Sequence, residues 1–394
     1  MISYAVKALR RTPPSVAAVL AAKAIRTFCY GFLGITLPIY LADLGMSATG
    51  VGAAVTLTLF GSAALTWAVR RPAERYGARV TLIALSALIG LSACLLLTTR
   101  DPWIVVVAAM IGNVAVGTGE TGPFLTLEQV VVARAVAPTQ RTTMLSAYNL
   151  VGYGAAALGA LAVGLASSTA VLFAAFLASA VLQALVYTRL PGTGAASPPR
   201  TAGTPRPSAP LIRRLAVLFA LDSFAGGFVL QSLVAYFLHE RFGMPIETLG
   251  LVFAVTQVLT ATSLLLAPAC ARRFGLLATM VASHLVSNGF LIAITFAPTA
   301  AAAVALLLAR HLLSQMDVPT RQAYVMAIVA DHEREAAAAL TNLSRTVAQA
   351  ITPALTGWVM QAVALSAPFA LGGGLKIAYD LLLWWTFRDV KLRD

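Results

Sequence analysis

Runs of about 20 apolar residues recur from one end of this chain to the other, and no other feature constrains its fold as tightly. A run of that length crosses the roughly 30 Å hydrocarbon core of a bilayer as an α-helix. Inside lipid every backbone polar group needs an internal partner, so only helices and closed barrels can span. The alternating strands of about 10 residues that mark an outer-membrane barrel are absent from the sequence. Of the 394 residues, 59% are hydrophobic and 11% are charged, where an ordinary soluble domain has about 25% charged. The expected fold class is therefore an all-α polytopic membrane protein.

The pattern predicts twelve transmembrane helices, over residues 15–43, 47–69, 78–98, 102–134, 141–167, 169–188, 212–239, 245–270, 275–296, 299–330, 334–363 and 366–388. A basic N-terminal region precedes the first run. That run continues to Leu41, too long for a cleaved signal, and reads as a membrane helix. Between the sixth and seventh runs lies a stretch rich in Pro, Gly, Ser and Thr, which reads as a flexible linker. The expected organisation is an N-terminal six-helix bundle over 1–190, a cytoplasmic linker over 191–211 and a C-terminal bundle over 212–394.

The net charge of +13 could suggest nucleic acid in a soluble protein. Here the basic residues cluster at Lys7–Arg11, Arg70–Arg79, Arg134 and Arg141, Arg189–Arg214, Arg272–Arg273 and Arg388–Arg393, while the alternate loops are nearly bare. Charge of one sign in every second loop is the positive-inside asymmetry, and it places both termini in the cytoplasm. A nucleic-acid partner is not expected. Cys29, Cys94 and Cys270 fall in apolar runs and read as buried free thiols. No Walker loop, zinc motif or nucleophile elbow occurs, so neither an enzyme nor a cofactor is expected, and ATP is not the energy source.

The halves repeat each other. LADLGMSATGVG (41–52) matches HERFGMPIETLG (239–250), and RYGARVTL (75–82) matches RFGLLATM (273–280), both at an offset of 198. EQVVVARAVAPTQR (128–141) matches RQAYVMAIVADHER (321–334) at an offset of 193. Three matches in one order argue for a duplicated six-helix unit.

Twelve helices, two related halves, a long central loop and a basic loop after the second helix resemble the major facilitator superfamily. The resemblance implies two pseudo-symmetric six-helix bundles that rock around a central cavity lined by helices 1, 4, 7 and 10. The family's Gly-x-x-x-Asp-Arg-x-Gly-Arg-Arg motif is matched in RRPAERYGAR (70–79) by Glu74, Arg75, Gly77 and Arg79, with Arg70 at the leading Gly and Ala78 at one basic position. The resemblance implies that Glu74 and Arg75 help to latch one transport state. Two patterns of related antiporters are missing. Asn113 stands where the fourth helix of many proton-coupled members has an Arg, and the fifth helix has no Gly-Pro.

Ionisable groups deep in a bilayer face the protein interior and mark functional paths. They fall mostly on the four cavity helices. Lys23 and Arg26 are on the first, Glu120 and Glu128 on the fourth, Asp222 on the seventh, and Arg310, Asp317 and Arg321 on the tenth. Lys23, Arg26, Glu120, Asp222, Arg310 and Asp317 are the expected substrate-binding set, and Asp222 or Glu120 the proton carrier. At about 100° per residue, Arg310, Asp317 and Arg321 share one stripe, and Pro319 is expected to bend the helix beside them. Glu128 and Arg321 correspond in the repeat and carry opposite charge, which suggests an inner-gate pair. The alternative for each is a side chain snorkelling to water at its helix end. Arg345 reads as a packing or latch residue. Lys376 and Asp380 are expected to pair with each other, and His284 and Asn288 to be satisfied core polar groups.

These readings point to a monomeric secondary transporter for a small organic solute, polar, anionic or zwitterionic, driven by protons through alternating access. Many bacterial relatives without a sugar-type signature export solutes, so the resemblance implies efflux. Uptake of a small anion by symport or uniport is the alternative, and a non-transporting receptor or scaffold is the alternative from another class. The abundance of Arg and Ala suggests a GC-rich bacterial genome and an inner-membrane location.

Overall fold

The computed structural model describes residues 13–117, 122–191, 209–328 and 334–388. They form helices throughout: α1 (Pro14–Asp43), α2 (Ala48–Ala68), α3 (Arg70–Thr98), α4 (Pro102–Ile111), α5 (Pro123–Ala135), α6 (Pro138–Ala162), α7 (Thr169–Tyr187), α8 (Ala209–Gly227), α9 (Gln231–Phe242), α10 (Ile246–Phe274), α11 (Leu276–Ile294), α12 (Ala300–Ser314), α13 (Asp317–Ile328), α14 (Arg334–Ala362) and α15 (Ala367–Phe387). By length and composition, eight of the described segments can cross a bilayer, Pro14–Asp43 and Ala209–Phe242 among them. The membrane reading also shows in what faces outward. Trp67 and Trp385 are 74% and 73% exposed, whereas Arg26 is fully buried. Apolar outside and charged inside suits hydrocarbon as the solvent.

The termini of these helices have local causes. Asp101 caps α4, its carboxylate accepting from the amides of Trp103 and Ile104, with Pro102 at the first helical position. Thr299 caps α12 by accepting from the amide of Ala302. Gly45 and Gly243 follow α1 and α9 at φ 90° and 62°, and Gly77 and Gly275 turn the chain at φ 81° and 86°. Both pairs are related by the same sequence offset as the repeat, so the duplication extends to backbone turns that a side chain would strain.

Among the described residues, three of the twelve expected helices are interrupted. The fourth is split into α4 and α5 around Asn113, at φ 50°, and Gly122, at φ 108°. The seventh breaks between α8 and α9 at 228–230, and the tenth between α12 and α13 at Gln315 and Met316. The tenth corrects the expected kink. The interruption precedes Pro319, which occupies the first turn of α13, where a missing amide hydrogen leaves no helical bond unmade. The Gln315 carbonyl accepts instead from the amide of Val318 at 3.3 Å. The three thiols are free, but only Cys29 is buried, and Cys94 is exposed.

The helices pack into two compact units. The first holds the described residues through Gly45, those from Leu57 through α7, and Pro245–Ala254. The second holds Met46–Thr56, the described residues from α8 through Met244, and those from Val255 onward. In the first, α1 packs on α6 and α7, and α3 on α7. In the second, α8 packs on α14 and α15, and α11 on α15. These are equivalent pairings, as a duplicated bundle requires. At Gly159 of α6, a Cβ would collide with the backbone of Phe28, so only glycine permits the close approach of α1 and α6.

Candidate functional site

Each unit buries one cluster of charge. In the first, α1 carries Arg26 and α5 carries Glu128, and both side chains are 0% exposed. The guanidinium grips the carboxylate with two hydrogen bonds, Nη1 to Oε1 at 3.0 Å and Nη2 to Oε2 at 2.6 Å. Such a fork-to-fork pair is the strongest geometry available to these groups. The Tyr148 hydroxyl of α6 donates to Oε2 at 2.6 Å, and the Tyr187 hydroxyl of α7 donates to Oε1. Arg26 also donates to the Gln183 amide oxygen at 3.3 Å and lies 4.4 Å over the Phe124 ring. Both carboxylate oxygens thus accept twice. Lys23, one turn earlier on α1, is buried with its ammonium 4.4 Å from the Tyr148 ring centre.

The second cluster is built around Asp222 of α8. Lys376 of α15 donates to Oδ1 at 2.6 Å, and Arg321 of α13 donates to Oδ2 at 3.1 Å. Arg321 divides itself, since Nη1 also donates to Asp317 at 2.8 Å, one helical turn away. His284 of α11 has its Nδ1 at 2.8 Å from Asp380, whose other oxygen accepts from Asn288 at 3.1 Å. The remaining imidazole nitrogen, Nε2, lies 3.5 Å from Lys376 Nζ and 3.8 Å from Asp222 Oδ1. Arg345 of α14 donates through Nε to Ser223 at 3.0 Å. Arg310, in the last turn of α12, is half-buried and lies within the fields of Asp222 and Asp317. Its Nε is buried without a hydrogen-bond partner.

Several expected partnerships are replaced. Arg26, expected beside Lys23 in the substrate-binding set, is bound to Glu128. Glu128 and Arg321, expected to meet at an inner gate, are each buried and satisfied within their own unit, because each has an opposite charge on a neighbouring helix of that unit. Lys376 and Asp380 do not pair with each other. They occupy one face of α15, but Asp222 and His284 lie closer in the directions their side chains take. Asp222, Asp317, Arg310 and Arg321 do converge, as the polar stripe implies. Glu74 and Arg75 stand exposed at the start of α3. Glu120 lies outside the described residues.

Tyr148, Gln183 and Tyr187 in the first unit, and His284 and Lys376 in the second, contribute most of the remaining contacts; the charge pattern marked Lys376 but with another partner, and it did not select the tyrosines or Gln183. The repeat carries a signal for some. Gln183 and Lys376 stand at the offset of 193, as do Glu128 and Arg321. Both Gln183 and Lys376 touch the residue that α1 or α8 presents.

The wider comparisons agree with this architecture. The uncharacterized membrane protein YJR124C of Saccharomyces cerevisiae is 24% identical over 416 residues, covering 94% of this chain and 93% of the yeast protein. The nucleoside transporter NupG superposes with a TM-score of 0.74 at 14% identity, over 95% of this chain and 99% of that one. A D-xylose–proton symporter gives 0.72 at 14% identity, over 94% and 96%. The human organic anion transporter MFSD10 (TETRAN) gives 0.66 at 16% identity, over 94% and 100%. At these identities the likeness to solved structures shows the fold. The family model of the Major Facilitator Superfamily matches residues 19–314, most of the duplicated helical architecture described above. With two bundles, repeated turns and charge buried in both, the chain belongs to the Major Facilitator Superfamily and is a secondary transporter rather than an enzyme.

Proposed function

We propose that this transporter moves a small organic anion or zwitterion by alternating access, coupled to protons at Asp222, as a monomer in a bacterial inner membrane with both termini cytoplasmic. The observation that carries the reading is the charge balance of the second cluster. Arg310, Arg321, Arg345 and Lys376 outnumber Asp222, Asp317 and Asp380 by one, and the buried Nε of Arg310 has no partner. A surplus cation in low dielectric favours an anionic ligand.

Coupling follows from competition. A substrate carboxylate or phosphate that draws Lys376 or Arg321 toward itself leaves Asp222 as a buried charge with less compensation. A proton removes that charge. Two proteins that share the fold are named as a D-xylose–proton symporter and an organic anion transporter. Under this competition anion and proton are bound together and move in the same direction, which is the uptake-symport alternative rather than efflux.

The test is proton movement in proteoliposomes under an imposed pH gradient, with anions, zwitterions and drug-like cations added in turn. Asp222→Asn, Glu120→Gln and Arg310→Gln run alongside. The expected result is proton flux evoked by an anion or zwitterion, lost in Asp222→Asn, with the half-saturating concentration raised in Arg310→Gln. Flux evoked by cations alone, or transport that ignores the pH gradient and survives all three changes, overturns the reading.

A further inference from the structure

His284 is the buried titratable group for which the competition between substrate and Asp222 has not accounted. It sits on α11, 4% exposed, between two carboxylates and an ammonium. Asp222 on α8 and Lys376, Tyr379 and Asp380 on α15 lie against it, and the other titratable and charged groups on elements packed against α11 are Arg310 and His311 on α12 and Asp317 and Arg321 on α13. His311 is turned away, its Nδ1 at 2.8 Å from the Leu307 carbonyl of its own helix.

The hydrogen bonds assign the imidazole's resting tautomer. Asp380, bound by Nδ1 at 2.8 Å, is an acceptor, so Nδ1 carries a hydrogen. Lys376 Nζ, at 3.5 Å from Nε2, has only donors, so Nε2 presents its lone pair. The same nitrogen stands 3.8 Å from Asp222 Oδ1, the atom that Lys376 holds at 2.6 Å. Lysine now holds that carboxylate oxygen, and the ring could take its place only with a hydrogen on Nε2.

We infer that His284 takes up the coupling proton and replaces Lys376 as the counter-ion of Asp222 when an anionic substrate draws that lysine away. The inference rests on the proposed anion transport and moves the proton from the carboxylate to the ring beside it. One proton from water bonds to Nε2, and the imidazolium then donates to Asp222 through Nε2 and to Asp380 through Nδ1. When the anion leaves, the returning ammonium faces a like charge, and Nε2 releases the proton. Each anion displaces one ammonium and admits one proton, so the charge around Asp222 is unchanged through the cycle.

The test needs no substrate. Protein labelled with 15N-histidine is placed in lipid nanodiscs, and the His284 ring is assigned by the signal that disappears in His284→Gln. In the unsubstituted chain the ring is expected to carry hydrogen on Nδ1 with Nε2 open, as its hydrogen bonds imply. In Lys376→Met the protonated fraction should rise about tenfold. Lys376→Arg should leave it neutral, and so should the double change Lys376→Met with Asp222→Asn, which removes both charges together and guards against misfolding of the single variant. A ring that stays neutral in Lys376→Met, or is charged equally in the single and double variants, overturns the inference. In proteoliposomes, His284→Gln should lose substrate-evoked proton uptake; a variant that retains it overturns the inference too. Protonation in Lys376→Met without any substrate-evoked proton flux in the unsubstituted protein sinks the proposed coupling and leaves the counter-ion exchange standing.

Discussion

The two buried clusters occupy equivalent places in a duplicated scaffold, with their charges inverted. In the first unit the cation is on α1 and the acid on α5; in the second the acid is on α8 and the cation on α13. Their construction differs as much as their sign. Glu128 is held by one two-pronged guanidinium and two tyrosine hydroxyls, so both oxygens are saturated by fixed donors. Asp222 shares its oxygens between a lysine and an arginine, and each of those has a second place to go, Lys376 toward His284 and Arg321 toward Asp317. A saturated one-to-one pair resists exchange. A shared carboxylate with divided partners accommodates it. On the proposed function, the first cluster holds its bundle together and the second handles charge that comes and goes.

The largest effect should come from opening the saturated pair. Glu128→Gln or Arg26→Met leaves a fully buried partner uncompensated, which costs about 3–5 kcal/mol. Denaturant-driven unfolding in mixed micelles reads it. Arg26→Met combined with Glu128→Leu should recover most of the loss, since a buried ion pair replaced on both sides by apolar groups is often neutral. No recovery would mean that the pair has a role beyond its bundle and would erase the contrast between the units.

In the second unit, Lys376→Met with Asp222→Asn should restore stability lost by either change alone, yet leave substrate-evoked proton flux abolished. Restored flux would show that the second cluster is as structural as the first. A smaller effect is expected at the tyrosines. Tyr187→Phe removes one hydrogen bond to a charged group, roughly 1.5–3 kcal/mol, with transport kinetics unchanged once expression is matched. Least of all, Gly45→Ala and Gly243→Ala should each cost about 1 kcal/mol, because both place a Cβ at positive φ. Equal costs would extend the equivalence of the units to their turns, and unequal costs would limit it to their helices.

Much of this architecture was legible before any coordinates. Long apolar runs fix helices because lipid offers the backbone no alternative partner. The glycines at 45 and 243, and at 77 and 275, showed as matches of the repeat, and the structure adds that each turns the chain at positive φ. Charges such as Arg26, Glu128, Asp222 and Arg321 stood out because such groups are rare in spans and turn inward. Their partners were not legible, since pairing depends on which helices become neighbours and on side-chain direction. Spacing along one helix put Lys376 with Asp380, while packing of α15 on both α8 and α11 sent one to Asp222 and the other to His284. The repeat invited a bond between Glu128 and Arg321, while closer partners within each unit took both. Nor did hydropathy reveal the breaks at 228–230 and at Gln315 and Met316, because an apolar run reads the same whether its helix is whole or split. The sequence by itself determined the class, the repeat and the buried charges, all consequences of transfer between water and lipid. Only the tertiary structure decided who neutralises whom, because Coulomb energy in a low dielectric is set by distances of a few ångströms between groups far apart in the chain.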